Sequence, residues 1–307
     1  MLIILIDEIG SVTKFLAGST SKRIPYEIVY CLRLALSSWT TRNALITTAI
    51  SSDFRSGFYF QGVSPNFNNL TEAYLGVKLE QQLVQISLPQ LYRHRPLYNI
   101  PLFHELGHFL DTHHKLTDVT LILHDQNTAL PSVDVKSLTN ADLNFIQQRH
   151  RMEYFADLFA ASYVGMSFHS FLKSFAPANG VTLTHPATQD RLDLIEKFLS
   201  GVSDPIIQMF NQALKALNLP ELKINYTKPN VEDCFNNFRP YFIASDAELH
   251  GIFDASWTYL ERVIAKPDGF WENLSEDQIE KIINNLVEKS IRNYMVVGRW
   301  DNEPINA

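Results

Sequence analysis

Cysteine is nearly missing from this chain, with Cys31 and Cys234 the only two in 307 residues. Two thiols cannot build a disulfide framework, so stability has to come from a buried core, and single reduced thiols are the expectation. Long apolar runs are missing too. No stretch approaches the roughly 20 residues needed to cross a bilayer, so no membrane span is expected. Met1 to Ile6 opens apolar, but Asp7 and Glu8 follow at once, without the basic start and long apolar centre of a signal peptide. These features place the protein in the cytoplasm as an expectation. Basic clusters are scarce: the longest is the broken stretch Arg93, His94, Arg95, in a chain of formal net charge -7. Phosphate binding wants a concentrated basic surface, so nucleic acid is not an expected partner. There is no glycine-rich phosphate loop, no dinucleotide-binding pattern and no internal repeat.

What is present is a globular composition, 46% hydrophobic and 19% charged. Ile3 to Ile6 fits a short strand or a helix start. Pro25 to Leu36 places Ile28, Cys31, Leu32, Ala35 and Leu36 on one helical face. Ala44 to Ile50 and Phe58 to Phe60 are β-branched and aromatic and read as strands. Gly62 to Asn69 reads as loop. Leu83 to Leu88 alternates cleanly before Pro89, predicting a half-buried strand near a sheet edge. Tyr98 to Asp111 predicts a helix with Pro101 in its first turn. Thr112 to Leu138 reads as loop with a short strand at Thr120 to Leu123. A long helix is predicted from Asn140 to Val164, closed by Gly165. Another is expected to open at Thr184, His185 and Pro186, carrying Leu192, Ile195 and Leu199. Ser275 with Gln278 resembles a capping box before Ile279, Ile283, Leu286 and Val287. A boundary near residue 202 would separate a first domain, 1–202, from a mostly helical region, 203–307, packed on it.

The chemistry concentrates in His104-Glu105-Leu106-Gly107-His108. Histidines four apart on a helix lie one turn apart on one face and can grip a single ion. Glu105, beside the first of them, is free to reach a water on that ion. Zinc acidifies such a water and polarises a carbonyl, and a carboxylate then takes the proton and passes it to the leaving amine. Three polar side chains in an otherwise apolar helix face need a reason.

A catalytic zinc site has three protein ligands and an open position. His113 and His114 follow closely, His114 six residues beyond His108, and read as surface histidines with His124. Glu153 is the better candidate. It lies in Glu153-Tyr154-Phe155-Ala156-Asp157, an apolar helical segment with two carboxylates one turn apart. Glu153 can bind the ion while Asp157 accepts a hydrogen bond from the free ring nitrogen of a ligand histidine. Ala156 and Ala160 allow close approach of the two helices. An ordinary amphipathic helix with both carboxylates in solvent is the competing reading.

With these residues set out, the chain resembles the zinc metallopeptidases whose third ligand is a glutamate, and within them the M48 family of Ste24/HtpX-type enzymes and their soluble relatives. That family pairs the two-histidine motif with a Glu-x-x-x-Asp helix, matched by Glu153 to Asp157, and then a His-Pro pair with a later arginine, matched by His185, Pro186 and Arg191. The resemblance covers roughly residues 80 to 200. It implies one Zn2+ per chain on His104, His108 and Glu153, with Glu105 as general base acting on a zinc-bound water and Asp157 orienting a ligand histidine. It further implies His185 near the substrate helping to stabilise the oxyanion, and Leu83 to Leu88 as the edge strand for an extended peptide. Arg191 reads as a brace paired with Asp190 or Asp157.

The implied fold is α+β: a zincin-like core with a small mixed sheet packed on the active-site helices, plus a helical C-terminal region. The expected partner is a peptide or protein substrate, with a regulatory protein as a further candidate. Two other readings stand beside the peptidase: a regulatory protease that cleaves a repressor or toxin, and a silent zinc-containing binding module. Weaker candidates are His150, close to Glu153 in sequence; Tyr98, Tyr154 and Tyr163 as oxyanion donors; and the Asp246, Glu248, His250, Asp254 group, equally readable as an exposed helix face. The 111–150 connection is long enough to cover a cleft.

Overall fold

A computed structural model describes residues 6–7, 9–10, 12–13, 25–40, 44–51, 58–62, 65–78, 82–124, 140–176 and 178–302. Ile3 to Leu5 and the middle of the 111–150 connection, and with them what was expected there, lie outside these. Helices dominate. Helix α1, Tyr26–Ser37, buries the stripe Ile28, Cys31, Leu32, Ala35 and Leu36. Burial pushes the Cys31 thiol far up, so it stays protonated and inert.

Three strands, β1 (Ala44–Ser51), β2 (Tyr59–Gly62) and β3 (Gln82–Pro89), form one mixed sheet in the order β1-β3-β2. β3 pairs parallel with β1, Thr47 opposite Gln85, and antiparallel with β2, Phe60 opposite Ile86. This corrects the expected edge position of Leu83 to Leu88: that strand is central. It is not half-buried either, since Gln85 and Ser87 are as buried as Val84, Ile86 and Leu88. Two of the three strands precede it in sequence, one on each side, and alternation alone does not reveal that. Between β2 and β3 the chain forms helix α2, Pro65–Leu75, where a loop was expected to Asn69. Pro65 is the first helical residue, where a missing N–H costs little.

Helix α3, Pro101–His114, has proline at its start as read from the sequence. It ends at Lys115, which takes a left-handed φ of 53°. Asp111 accepts from both the backbone N–H and the hydroxyl of Thr117, each at 2.7 Å, and so caps helix α4, Leu116–Leu123. The strand expected at Thr120 to Leu123 is therefore the second half of a helix. Helix α5, Asn140–Val164, runs to Gly165, as expected. Gly165 has a φ of +61°, and a Cβ there would meet the Tyr226 ring. Helix α6, Met166–Phe175, follows directly. Helix α7, Thr188–Leu199, begins two residues after Pro186, so His185 sits in the turn ahead of it.

The later helices are α8 (Pro205–Ala216), α9 (Glu232–Asn236), α10 (Asp246–Ala265) and α11 (Glu276–Asn302). Ser275 and Gln278 form the reciprocal cap read from the sequence, Ser275 N–H donating to the Gln278 side chain at 2.9 Å. α10 packs on α5 and α6, and α11 on α1 and α10. One continuous apolar cluster runs from Ile28 to Ile291, and Arg292 pairs with Glu27 at 2.6 Å across it. No described helix is long and apolar enough to cross a membrane.

The Asp246 to Asp254 group is neither an exposed face nor a ligand set. His250 and Asp254 are buried, while Asp246 accepts from Tyr294 and Glu248 from the Ala244 N–H. His250 lies edge-on to Phe103 and Tyr163, and burial lowers its pKa to about 3. The folded protein needs this ring neutral, whereas the unfolded chain takes up a proton below pH ~6.5. Its contribution to stability is therefore complete above that pH and is lost as pH falls towards 3, at ~1.4 kcal/mol per unit. We expect His250→Leu to lose ~3 kcal/mol less than the parent between pH 7 and pH 4 in urea titrations. Equal losses in the two proteins would show that another group sets the acid sensitivity.

Candidate metal centre

Helices α3 and α5 cross at their smallest residues. A Cβ on Gly107 would lie 2.7 Å from the Cα of Ala156, so only glycine permits this approach. The crossing brings His104 and His108, one turn apart on α3, against Glu153 on α5. His104 Nε2 stands 3.4 Å from Glu153 Oε2, and His108 Nε2 stands 3.4 Å from Glu153 Oε1. Each gap is long for a hydrogen bond, and the two run to the two different oxygens of one carboxylate. The three ligand atoms lie within 4.8 Å of one another, and the group can hold a metal ion. The rings are fixed from outside, His104 stacked on Phe168 and His108 on Phe60 of β2.

Behind the ligands lies a carboxylate with no solvent exposure. Asp157 takes His104 Nδ1 at 2.9 Å and a two-pronged contact from Arg191, Nε and Nη2 each at 2.7 Å. With Nδ1 of His104 facing Asp157, its Nε2 is turned towards Glu153. Arg191 also reaches Glu153 Oε2 at 3.4 Å, so of its two expected partners it pairs with Asp157. Burial opposes charge on both acids, yet the Asp157 carboxyl is held below its ordinary range by Arg191 and His104. The Glu153 carboxyl is held well below by the two histidines. Burial likewise opposes charge on His104, but Asp157 and Glu153 prevail and raise its pKa to about 10. A field that holds a proton so firmly on a buried imidazole favours a cation at this spot.

Glu105 is partly exposed and forms no ion pair among the described residues. It shares a cleft of about 260 Å3 with Phe60, His108, Arg149, Met152 and Glu153. His185 reaches Glu153 Oε1 at 3.5 Å but stands outside the convergent trio and is more than half exposed. Its turn is tied down by His150 on α5, whose Nε2–H donates to the Thr182 carbonyl at 2.8 Å; the Thr182 hydroxyl accepts the His185 N–H at 2.9 Å. His150 is thus no ligand but an anchor for His185.

The remaining candidates do not gather here. His114 sits six residues past His108, the spacing of the extended histidine motif, but Asp111 stands where that motif has glycine. Helix α3 runs on through His114, and its ring lines a different pocket, with His113, Trp39 and Leu219. Tyr163 spends its hydroxyl on Ser38, Trp39 and the Ala35 carbonyl, and neither Tyr98 nor Tyr154 lines the cleft. Sequence reasoning missed Arg149, Met152 and Phe60. Arg149 was findable, being one turn before Glu153 on the same helix face; Phe60 comes from β2 and carried no local signal.

The chain is thus a mostly helical protein with a small mixed sheet and a buried His-His-Glu group able to hold a metal ion. Compared with protein-family models, curated proteins and solved structures, it matches none.

Proposed function

We propose that this chain is a zinc-dependent peptidase of the zincin type, similar in its site to the M48 metallopeptidases. The observation that carries the reading is the pair of 3.4 Å gaps from Glu153 to the two histidine nitrogens, backed by Asp157. Two nitrogens and one carboxylate suit zinc. Bound there, zinc would supply Lewis acidity towards a carbonyl and a lowered water pKa.

The chain's own groups do the rest. Glu105, in the cleft beside His108, takes the proton of the attacking water and returns it to the departing amine. His185, pinned by Thr182, donates to the developing oxyanion. Asp157 and Arg191 keep His104 in one tautomer and one orientation. An extended substrate lies along β2, not β3: among the described strands β2 ends the sheet on this side, and its Phe60 stacks on His108.

Metal content decides the first half of this reading. Protein purified without added metal is expected to carry about one zinc per chain by elemental analysis, lost in Glu153→Ala. Folded protein with no zinc in either form would sink the proposal. The second half rests on hydrolysis of unstructured protein substrates that is abolished by a chelator and restored by zinc.

A further inference from the structure

Two arginines stand at this centre, and only one of them is committed. Arg191 is consumed by Asp157 and Glu153. Arg149 lines the cleft with Glu105, His108 and Glu153 and has no ion pair among the described residues. Its guanidinium carbon lies 5.2 Å from the centroid of the Phe145 ring. That cation–π contact steadies an otherwise exposed side chain beside the cleft. A guanidinium edge is the part that grips a carboxylate with two parallel hydrogen bonds. Arg149 and Glu153 are four residues apart on α5, so the guanidinium and the ion site share one face about one turn apart. A substrate group one residue from the scissile bond is within reach of it. In a chain of net charge -7, whose cleft already holds two carboxylates, an unpaired cation at that point is set against an anion that is not part of the chain.

We propose that Arg149 is a specificity-determining residue that selects peptides carrying a carboxylate beside the scissile bond. The carboxylate is either an acidic side chain or the free C-terminus. This rests on the peptidase reading for what happens to the peptide, but not for its binding.

The test therefore measures binding, in zinc-loaded protein carrying Glu105→Gln so that nothing is cleaved. Three dye-labelled peptides of one neutral sequence are titrated: amidated, amidated with one Asp or Glu, and with a free C-terminal carboxylate. At least one acidic form is expected to bind about 10- to 100-fold tighter than the neutral amide, the range of a charge-assisted hydrogen-bonded pair. Which form gains tells a side-chain carboxylate from a chain terminus. Adding Arg149→Gln should erase that gain and leave the neutral amide unchanged, which also shows that the fold is intact. No preference in the parent overturns the proposal. So does an equal loss for all three peptides, which would mean that Arg149 acts through Glu105 or the fold. Hydrolysis by protein with Glu105 intact is scored separately: a carboxylate preference without cleavage removes the peptidase reading and keeps this one.

Discussion

Glu105→Gln is expected to keep its zinc and to lose peptide hydrolysis by a factor of about 100 to 10,000, the usual worth of a positioned general base. The structure separates the two readouts. Glu105 is not among the three converging side chains, and it makes no ion pair among the described residues, so the amide should disturb neither the fold nor the proposed metal site. It does line the cleft beside His108 and Glu153, where the attacking water of the proposed reaction would sit. Zinc content and kcat/KM measured on the same preparation decide the matter. Activity within a few-fold of the parent would remove Glu105 from the mechanism. Loss of zinc together with activity would mean that the carboxylate supports the site and has no chemical part.

The second large effect belongs to Asp157→Ala, and it is a loss of stability. Asp157 is wholly buried and receives both Arg191 and His104. Removing it strands a guanidinium that is itself buried, and breaking a buried pair from one side costs about 3–5 kcal/mol. The measurement is urea unfolding in the presence of a chelator, so that zinc linkage does not enter. Asp157→Asn should lose less, since the amide oxygen still accepts one hydrogen bond. Zinc affinity should also fall about 10- to 100-fold, as it does when the group orienting a ligand histidine is removed. A variant as stable as the parent would show that Arg191 finds Glu153 as a substitute partner.

The helices that carry the centre were readable because their signals are local. The histidines four apart, the proline opening α3, the Glu153 and Asp157 pair and the glycine closing α5 all act within a few residues of themselves. The elements that were misread owe their form to distant partners. Thr120 to Leu123 has the composition of a strand. It is helical because Asp111 caps the turn before it, while Arg151 on α5 donates to Thr120 Oγ1 at 3.1 Å. Leu83 to Leu88 alternates like an edge strand, but β1 and β2 close on both sides of it. The same holds at the site. Asp157 and Arg191 are 34 residues apart, and Phe60 reaches His108 from another element altogether. The histidine at 250 has a polar residue's pattern on α10, and only the aromatic surroundings supplied by α3 and α5 make it a buried ring.

The contact of Gly107 with Ala156 sets how closely the two ligand-bearing helices approach. A side chain at position 107 should therefore part the helices and pull Glu153 away from the two histidines. Kinship to other proteins is better sought through two short, unlinked words, one with a small residue between its histidines and one with a small residue between its acids.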